Sequence, residues 1–113
     1  MSNLKKATRK AFRDAVFARD NHRCVMCGAS NVALDAHHIF PREDMPNGGY
    51  VKENGITLCD VWGGCHARAE ATLQGKAHYP GFTHQELFAK INSSLLQAKL
   101  AASTLKTTPR STP

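Results

Sequence analysis

The sequence predicts a small α+β domain, with two short strands and a short helix at its centre and a longer helix on each side. The 113 residues are enough for one domain but not for a large core. The hydrophobic pattern is helical towards both ends of the chain and strand-like in the middle, where short apolar segments are bounded by Gly and Pro. Four cysteines lie in that middle part. Small domains with thin cores often need a bound metal ion or a disulfide to be stable, and cysteines can supply either.

The predicted elements follow one another in a simple order. We expect one domain over residues 1–103, with its core at about 20–75, and a disordered tail at 104–113. The elements are a helix at 4–19, a strand at 32–40, a strand at 56–58 after the turn signal Asn54-Gly55, a helix at 66–73 and a helix from about 83 to 103. The last helix begins with Thr83-x-x-Glu86, which is the pattern of a capping box.

Basic residues concentrate on one face of the N-terminal helix. Residues 1–23 contain seven Lys or Arg and two Asp, and so carry most of the net charge of +6. Four basic residues recur at helical spacing and share one face: Lys6, Arg9, Lys10 and Arg13. A face with charge of a single sign predicts contact with the phosphates of a nucleic acid, with the metal site elsewhere in the chain. The alternative is a charged face that is merely solvated.

The composition also excludes some classes of protein. No run of about 18 apolar residues is present, so we expect no segment that spans a membrane. The first residues lack the continuous apolar stretch of a secretory signal. We therefore expect a soluble protein of the cytoplasm. In that reducing compartment, cysteines do not normally form structural disulfides.

The four cysteines have the spacing of a zinc site. Cys24 and Cys27 form a Cys-x2-Cys knuckle followed by Gly28, and Cys59 and Cys65 follow the second strand. Four thiolates around one ion make a closed tetrahedral site, which leaves no position for a substrate. The sequence therefore predicts one structural zinc ion. The alternative is four ordinary buried cysteines.

Two adjacent histidines stand near the end of the first predicted strand, in the stretch DAHHI at residues 35–39. Asn54 precedes the second strand, and His66 directly follows Cys65. A histidine pair alone would indicate little, because such pairs also occur by chance at polar strand ends. In combination with the flanking cysteines, the pattern resembles the HNH endonucleases, the ββα-metal group of nucleases, over about residues 12–73.

The resemblance implies a ββα-metal core and a metal-dependent endonuclease that hydrolyses DNA, which we expect to be double-stranded. His37 and His66 would be ligands of a catalytic divalent ion, which could be Mg²⁺, Mn²⁺, Ni²⁺ or Zn²⁺. His38 would be the general base that takes a proton from the attacking water. An imidazole suits that role because its ordinary pKa is about 6.5. Asn54 would either brace the loop between the strands or contribute to the metal site.

Glu70 and the backbone of the histidine pair complete the predicted site. Glu70 lies one helical turn after His66, where members of the family can carry a further metal ligand. The alternative is an ordinary surface glutamate.

Adjacent residues of a regular strand point to opposite faces, so we expect irregular backbone at His37 and His38, with the phosphate lodged between the two side chains.

The segment between Cys59 and Cys65 departs from the family pattern, in which the second cysteine pair is usually Cys-x2-Cys. The intervening residues, DVWGG, lengthen this loop. We expect Gly63 and Gly64 to let Cys65 turn back to the zinc. Trp62, in the same insert, would either cover the zinc site or stack on a base.

Three functions fit these residues. The leading one is a DNA endonuclease that produces nicks or double-strand breaks. A non-catalytic zinc module that binds nucleic acid or a protein would need the cysteines and the basic helix, but not the three histidines together. An RNA-directed nuclease would need the same residues as the DNA enzyme. Small members of the family are often encoded by phages, so the resemblance also implies a bacterial host and a partner in phage packaging or restriction.

Overall fold

The computed structural model describes residues 2–105, with side chains from residue 5 onwards, so that residues 106–113 of the predicted tail lie outside the described part. The helices and strands are α1 (Ser2–Arg19), β1 (Leu34–His38), β2 (Gly55–Cys59), α2 (Cys65–Leu73), α3 (His84–Lys90) and α4 (Leu95–Ser103). This arrangement confirms the predicted α+β class. Within residues 2–105, no helix combines the length and the apolar character needed to cross a membrane.

The two strands form an antiparallel sheet whose register includes both histidines. His37 pairs with Ile56 and His38 pairs with Gly55, so the ladder is regular to the end of β1. The expectation of irregular backbone at the histidine pair was therefore wrong. Because the strand is regular, the two rings point to opposite faces of the sheet. The strand is also shorter than the predicted range of 32–40.

The sheet lies between two helices, one on each face. Phe12 and Val16 of α1 are buried against the face that carries His38, and α2 packs on the face that carries His37. Since both faces are covered, every residue of β2 is buried. Gly55 is required where α1 approaches most closely, because a Cβ there would lie 2.5 Å from Val16 and 2.7 Å from the ring of Phe12.

Hydrogen bonds fix the end of α1 to β2. Asp20 accepts a hydrogen bond from the backbone N–H of Thr57 at 2.9 Å. Arg19 donates to the carbonyl oxygens of Lys52 and Gly55 at 2.6 and 2.7 Å. The position of α1 on the sheet is thus set by both apolar packing and charge-assisted hydrogen bonds.

The connection between the strands is long, and Asn54-Gly55 is not a tight hairpin turn. The chain between β1 and β2 contains three short 3₁₀ segments, at Arg42–Asp44, Pro46–Gly49 and Lys52–Asn54. Gly55 has an extended conformation, with φ of −130°, and begins β2. The turn prediction failed because the contact of Gly55 with α1, and not a positive φ, explains the glycine.

The predicted single helix at 83–103 is in fact two helices. The first begins as predicted, with the complete capping box of Thr83 and Glu86. It ends because Asn92 adopts a positive φ of 57°, with its N–H bonded to Ala89 and the N–H of Ser93 bonded to the carbonyl of Phe88. These are the two hydrogen bonds of a Schellman motif. Ser94 then caps α4 by accepting from the N–H of Gln97 at 3.1 Å; this second cap was missed in the sequence.

Candidate active site and metal centres

The four cysteines meet at one point of the fold. Their sulfur atoms all lie within 4.8 Å of one another, and none of them forms a disulfide. The Sγ atoms of Cys27 and Cys59 are 3.8 Å apart. A tetrahedral zinc site with Zn–S bonds of about 2.3 Å has edges of about 3.8 Å. The geometry therefore fits a four-thiolate zinc site, as the spacing predicted.

Local backbone geometry presents the thiols to one another. In the knuckle, Gly28 has a φ of 81° and donates to the carbonyl of Cys24 at 2.8 Å. On the other side, the N–H of Cys65 donates to Cys59 Sγ at 3.3 Å. Gly64 permits this approach, because a Cβ at that position would lie 3.0 Å from the same sulfur. The longer insert thus does not displace Cys65 from the group.

The electrostatics of the thiols favour a bound cation. Burial would raise the pKa of Cys24, but backbone N–H groups of Cys27 and its neighbours lower it to about 7. Burial and the nearby Cys24 thiol raise the pKa of Cys65. Clustered thiols cannot all ionise side by side unless a positive charge compensates them. The donor set and its electrostatics therefore fit zinc.

A second group consists of His37 from β1 and of His66 and Glu70 from α2. Their candidate ligand atoms also lie within 4.8 Å of one another. Glu70 Oε2 is 3.3 Å from His37 Nδ1 and 3.4 Å from His66 Nε2. His66 and Glu70 are one helical turn apart, and the sheet register carries His37 to the same place. We call these three residues the His-His-Glu group.

The His-His-Glu group fits a divalent metal ion. His37 is only 2% exposed, yet neither of its ring nitrogens has a hydrogen-bond partner within the described part of the chain, because the 3.3 Å contact with Glu70 lacks hydrogen-bond alignment. Such orphaned polar atoms are costly when buried. The contact with His37 lowers the pKa of Glu70, which keeps the carboxylate ionised. An ion among the three side chains would satisfy both histidines and the carboxylate.

Two further carboxylates surround His66, and the sequence reasoning missed both. Asp60 Oδ1 lies 3.2 Å from His66 Nδ1 within hydrogen-bond geometry. Asp35 Oδ2 lies 3.3 Å from Nε2 on the other side of the ring. A hydrogen bond from Nδ1 to a carboxylate directs Nε2 towards a metal. Asp60 directly follows Cys59, and its position next to a predicted ligand was the available signal.

His38 lies on the other face of the sheet in an aromatic environment. Its ring stacks on Phe12 with a centroid distance of 4.5 Å, and the ring of Tyr50 meets it edge-on at 4.8 Å. Burial lowers the pKa of His38 to about 4, and the charge of Arg42 acts in the same direction. The imidazole is therefore neutral at pH 7 and able to accept a proton.

His38 lines two cavities, one on each side. A cavity of about 340 Å³ contains the His-His-Glu group, and a cavity of about 400 Å³ is lined by basic side chains. The basic residues of the second cavity are Lys6, Arg9, Lys10, Arg13 and Arg42. The predicted nucleic-acid face of α1 therefore opens directly onto His38. Phe12 on the same helix packs against His38, whereas the His-His-Glu group lines the other cavity.

Asn54 lies beside the site without joining the His-His-Glu group. It is fully buried, its Oδ1 accepts from the N–H of Phe40 at 3.0 Å, and its Nδ2 faces the carbonyls of Phe40 and Gly49 at 3.2 and 3.3 Å. With these atoms engaged, the geometry favours the loop-bracing alternative over a place at the metal.

Trp62 does not cover the four cysteines. Its side chain is fully exposed, at 101% of the reference value, at the tip of the insert. The covering alternative is therefore excluded by the structure.

Comparison with known proteins adds one finding. Residues 24–71 match the family model described as HNH endonuclease. The matched segment contains the four cysteines, both strands and the His-His-Glu group. Comparison with curated proteins and with solved structures gives no match. The match supports a nuclease-type function in general, and with the fold and the cysteine cluster it shows that the chain carries a domain of the HNH endonuclease family.

Proposed function

We propose that this protein is a metal-dependent endonuclease that hydrolyses phosphodiester bonds of double-stranded DNA. The observation that carries the proposal is the position of His38 between the cavity of the His-His-Glu group and the basic cavity. A phosphate bound there would have metal ligands on one side, a neutral imidazole beside it and cationic side chains on the other. These are the groups that phosphodiester hydrolysis requires.

The His-His-Glu group would hold the catalytic ion, with Mg²⁺, Mn²⁺, Ni²⁺ and Zn²⁺ as candidates. A divalent cation supplies charge stabilisation at a phosphate oxygen and at the leaving oxygen. His37 and Glu70 would bind without losing hydrogen bonds, because His37 has none to lose. Asp60 would orient His66 from the opposite ring nitrogen. The side chains are thus arranged before the ion arrives.

His38 would act as the general base. Among its ring nitrogens, Nε2 is buried without a partner, which leaves Nδ1 to accept the proton of the attacking water. The stack on Phe12 and the edge contact of Tyr50 hold the ring in one orientation. The low pKa of His38 keeps the ring unprotonated at neutral pH, and general bases typically contribute about 10²–10⁴-fold in rate.

The basic cavity would bind the phosphates that flank the cleaved bond. Lys6, Arg9 and Arg13 line it, and Lys10 also pairs with Asp14 at 2.6 Å on the exposed surface. Contacts of this type recognise backbone rather than base sequence. They support a nucleic acid as substrate, and they would also accept RNA, which makes RNA cleavage an outcome that the experiment below must separate.

The four cysteines would hold a structural zinc ion. This ion would join the knuckle, the end of β2 and the start of α2, and so fix the position of His66 relative to His37. Free thiols as ligands fit a reducing compartment such as the cytoplasm.

The experiment is cleavage of a supercoiled plasmid by purified protein, with and without added divalent metal. We expect conversion to nicked or linear DNA only when metal is added, and much slower cleavage of an RNA of similar size. Cleavage of RNA but not of DNA would show that the substrate is RNA. DNA binding without cleavage under any of the four metals would instead support the non-catalytic zinc module.

A further inference from the structure

The insert between Cys59 and Cys65 carries an exposed aromatic side chain that the proposed mechanism does not use. We propose that Trp62, at the tip of this insert, stacks on a nucleobase of the DNA next to the phosphate that is cleaved. This inference rests on the proposed function, since it needs DNA to be bound at the His-His-Glu group.

The exposure of Trp62 is complete, and none of the residues that the structure describes shields its ring. The side chain is 101% exposed, and the adjacent Val61 is 42% exposed. Indole rings are usually largely buried, because burial removes a large apolar surface from water and adds packing contacts. A ring held in water therefore favours a role in binding over a role in folding.

The turn that presents Trp62 is fixed at both ends. The N–H of Gly64 donates to the carbonyl of Val61 at 2.9 Å, and Gly63 has a positive φ of 67°. Gly64 packs so closely against Cys59 that a Cβ would lie 3.0 Å from its sulfur. The turn thus packs directly against the four cysteines. A turn whose backbone is already ordered loses little backbone conformational entropy when its side chain binds.

The turn also lies beside the metal ligands. Asp60, two residues before Trp62, hydrogen-bonds to His66 at 3.2 Å, and His66 itself is four residues after Trp62. A phosphate bound at the His-His-Glu group would therefore bring its neighbouring nucleotides to the insert. Apolar and aromatic side chains that insert between or stack on bases can open a base step in this way.

The charges near the insert favour a base over the DNA backbone as the partner of Trp62. Asp35, Asp60 and Glu70 all contact His66, so this side of the site carries carboxylates and would repel additional phosphates. An indole stacks on any base without needing a positive charge. A protein partner is less suited, because a stable interface buries about 800 Å² on each side and one ring with a flanking valine offers far less.

The single tryptophan of the chain makes the test direct. Fluorescence of Trp62 is followed while a short duplex is titrated into zinc-loaded protein without added catalytic metal, and binding is measured in parallel by anisotropy of labelled DNA. We expect quenched emission and protection from acrylamide in the complex. Both effects should be lost for a duplex with an abasic site at one position flanking the cleaved bond.

Variants separate stacking from a structural role. Trp62→Ala should weaken DNA binding by about 5- to 150-fold, the range for loss of one stacked base, whereas Trp62→Phe should retain most of the affinity. Val61→Ala in the same turn is the matched control and should bind like wild type. Unchanged emission at saturating DNA, or Trp62→Ala binding like wild type, overturns the inference and leaves the nuclease proposal intact. Failure of the wild-type protein to bind DNA would overturn both.

Discussion

The two groups of candidate metal ligands in this small domain differ in donor type, in access and in what surrounds them. The four cysteines are thiols, three of them buried, and none lines either of the two cavities around His38. The His-His-Glu group uses imidazole and carboxylate, and its three members line one of those cavities. A closed thiolate site suits a structural ion, whereas an open nitrogen and oxygen site leaves positions for water and substrate.

The geometry of the His-His-Glu group would depend on the four cysteines. Cys65 and His66 are adjacent, so an ion bound by the cysteines would hold the start of α2 where His66 and Glu70 meet His37. In the proposed function, the structural site would thus support the catalytic one. Changes at the cysteines should therefore affect the whole domain, and changes at the His-His-Glu group should affect only metal binding and chemistry.

The largest effect is expected for the cysteine group. Cys24→Ser, or removal of zinc with a strong chelator, should unfold the domain, because structural zinc contributes on the order of 10 kcal/mol or more to folding. Circular dichroism and elemental analysis of the purified protein measure this. A folded protein with less than about half an equivalent of zinc would contradict the assignment.

The His-His-Glu group should respond differently. His66→Ala should lower the affinity for the catalytic metal by more than about 100-fold, because even loss of an outer-shell partner costs about 10–100-fold. Zinc content and circular dichroism should stay as in wild type. Glu43→Ala is the matched control, because Glu43 lines the same cavity but does not belong to the group. Calorimetric titration with the metal tests the difference, and equal affinities for the two variants would refute it.

The basic face of α1 should change binding without changing either metal group. Replacing Lys6, Arg9, Lys10 and Arg13 by Gln should weaken binding to all DNA sequences alike and reduce the slope of log affinity against log salt by about three to four. The lower value applies if Lys10 remains paired with Asp14.

A matched control carries the same loss of charge elsewhere, at Arg23, Lys76, Lys90 and Lys99, none of which lines the basic cavity. Its salt slope should stay close to that of wild type. If both quadruple variants lose the same slope, the effect reflects net charge, and the face of α1 is merely solvated.

The smallest effect is expected for Asn54. Asn54→Ala should lower the free energy of unfolding by about 1–3 kcal/mol, because the N–H of Phe40 would lose its buried partner. Urea denaturation gives this value, and calorimetry should find the catalytic metal bound as in wild type. A large loss of metal affinity in this variant would favour the alternative in which Asn54 contributes to the metal site.

Local signals predicted the parts of the fold that depend on neighbouring residues. The sequence shows three such signals directly: the spacing of Cys24 and Cys27, the capping box at Thr83 and the one-turn separation of His66 and Glu70. Asn92 and Ser94 are residues that often end and begin helices, but the apolar pattern is helical on both sides of them, so a single helix was predicted. Propensity alone does not show where a Schellman motif closes.

The parts that sequence reasoning missed depend on distant segments. Phe12 stacks on His38, and Asp35 and Asp60 flank His66, only because the sheet and α1 bring them together. Nothing in the spacing of Phe12 distinguishes it from any other apolar residue of an amphipathic helix. The same long-range packing explains why Asn54-Gly55 predicts a turn although Gly55 lies in a buried strand.

In the proposed mechanism, His38 performs the proton transfer while the His-His-Glu group holds the metal. The most direct measurement is the single-turnover rate of DNA cleavage by His38→Ala at saturating metal and DNA, with both affinities measured on the same protein. We predict a rate about 10²–10⁴-fold below that of wild type, with metal and DNA affinities nearly unchanged. A His38→Ala protein that cleaves at the wild-type rate would contradict the assignment of His38 as the general base.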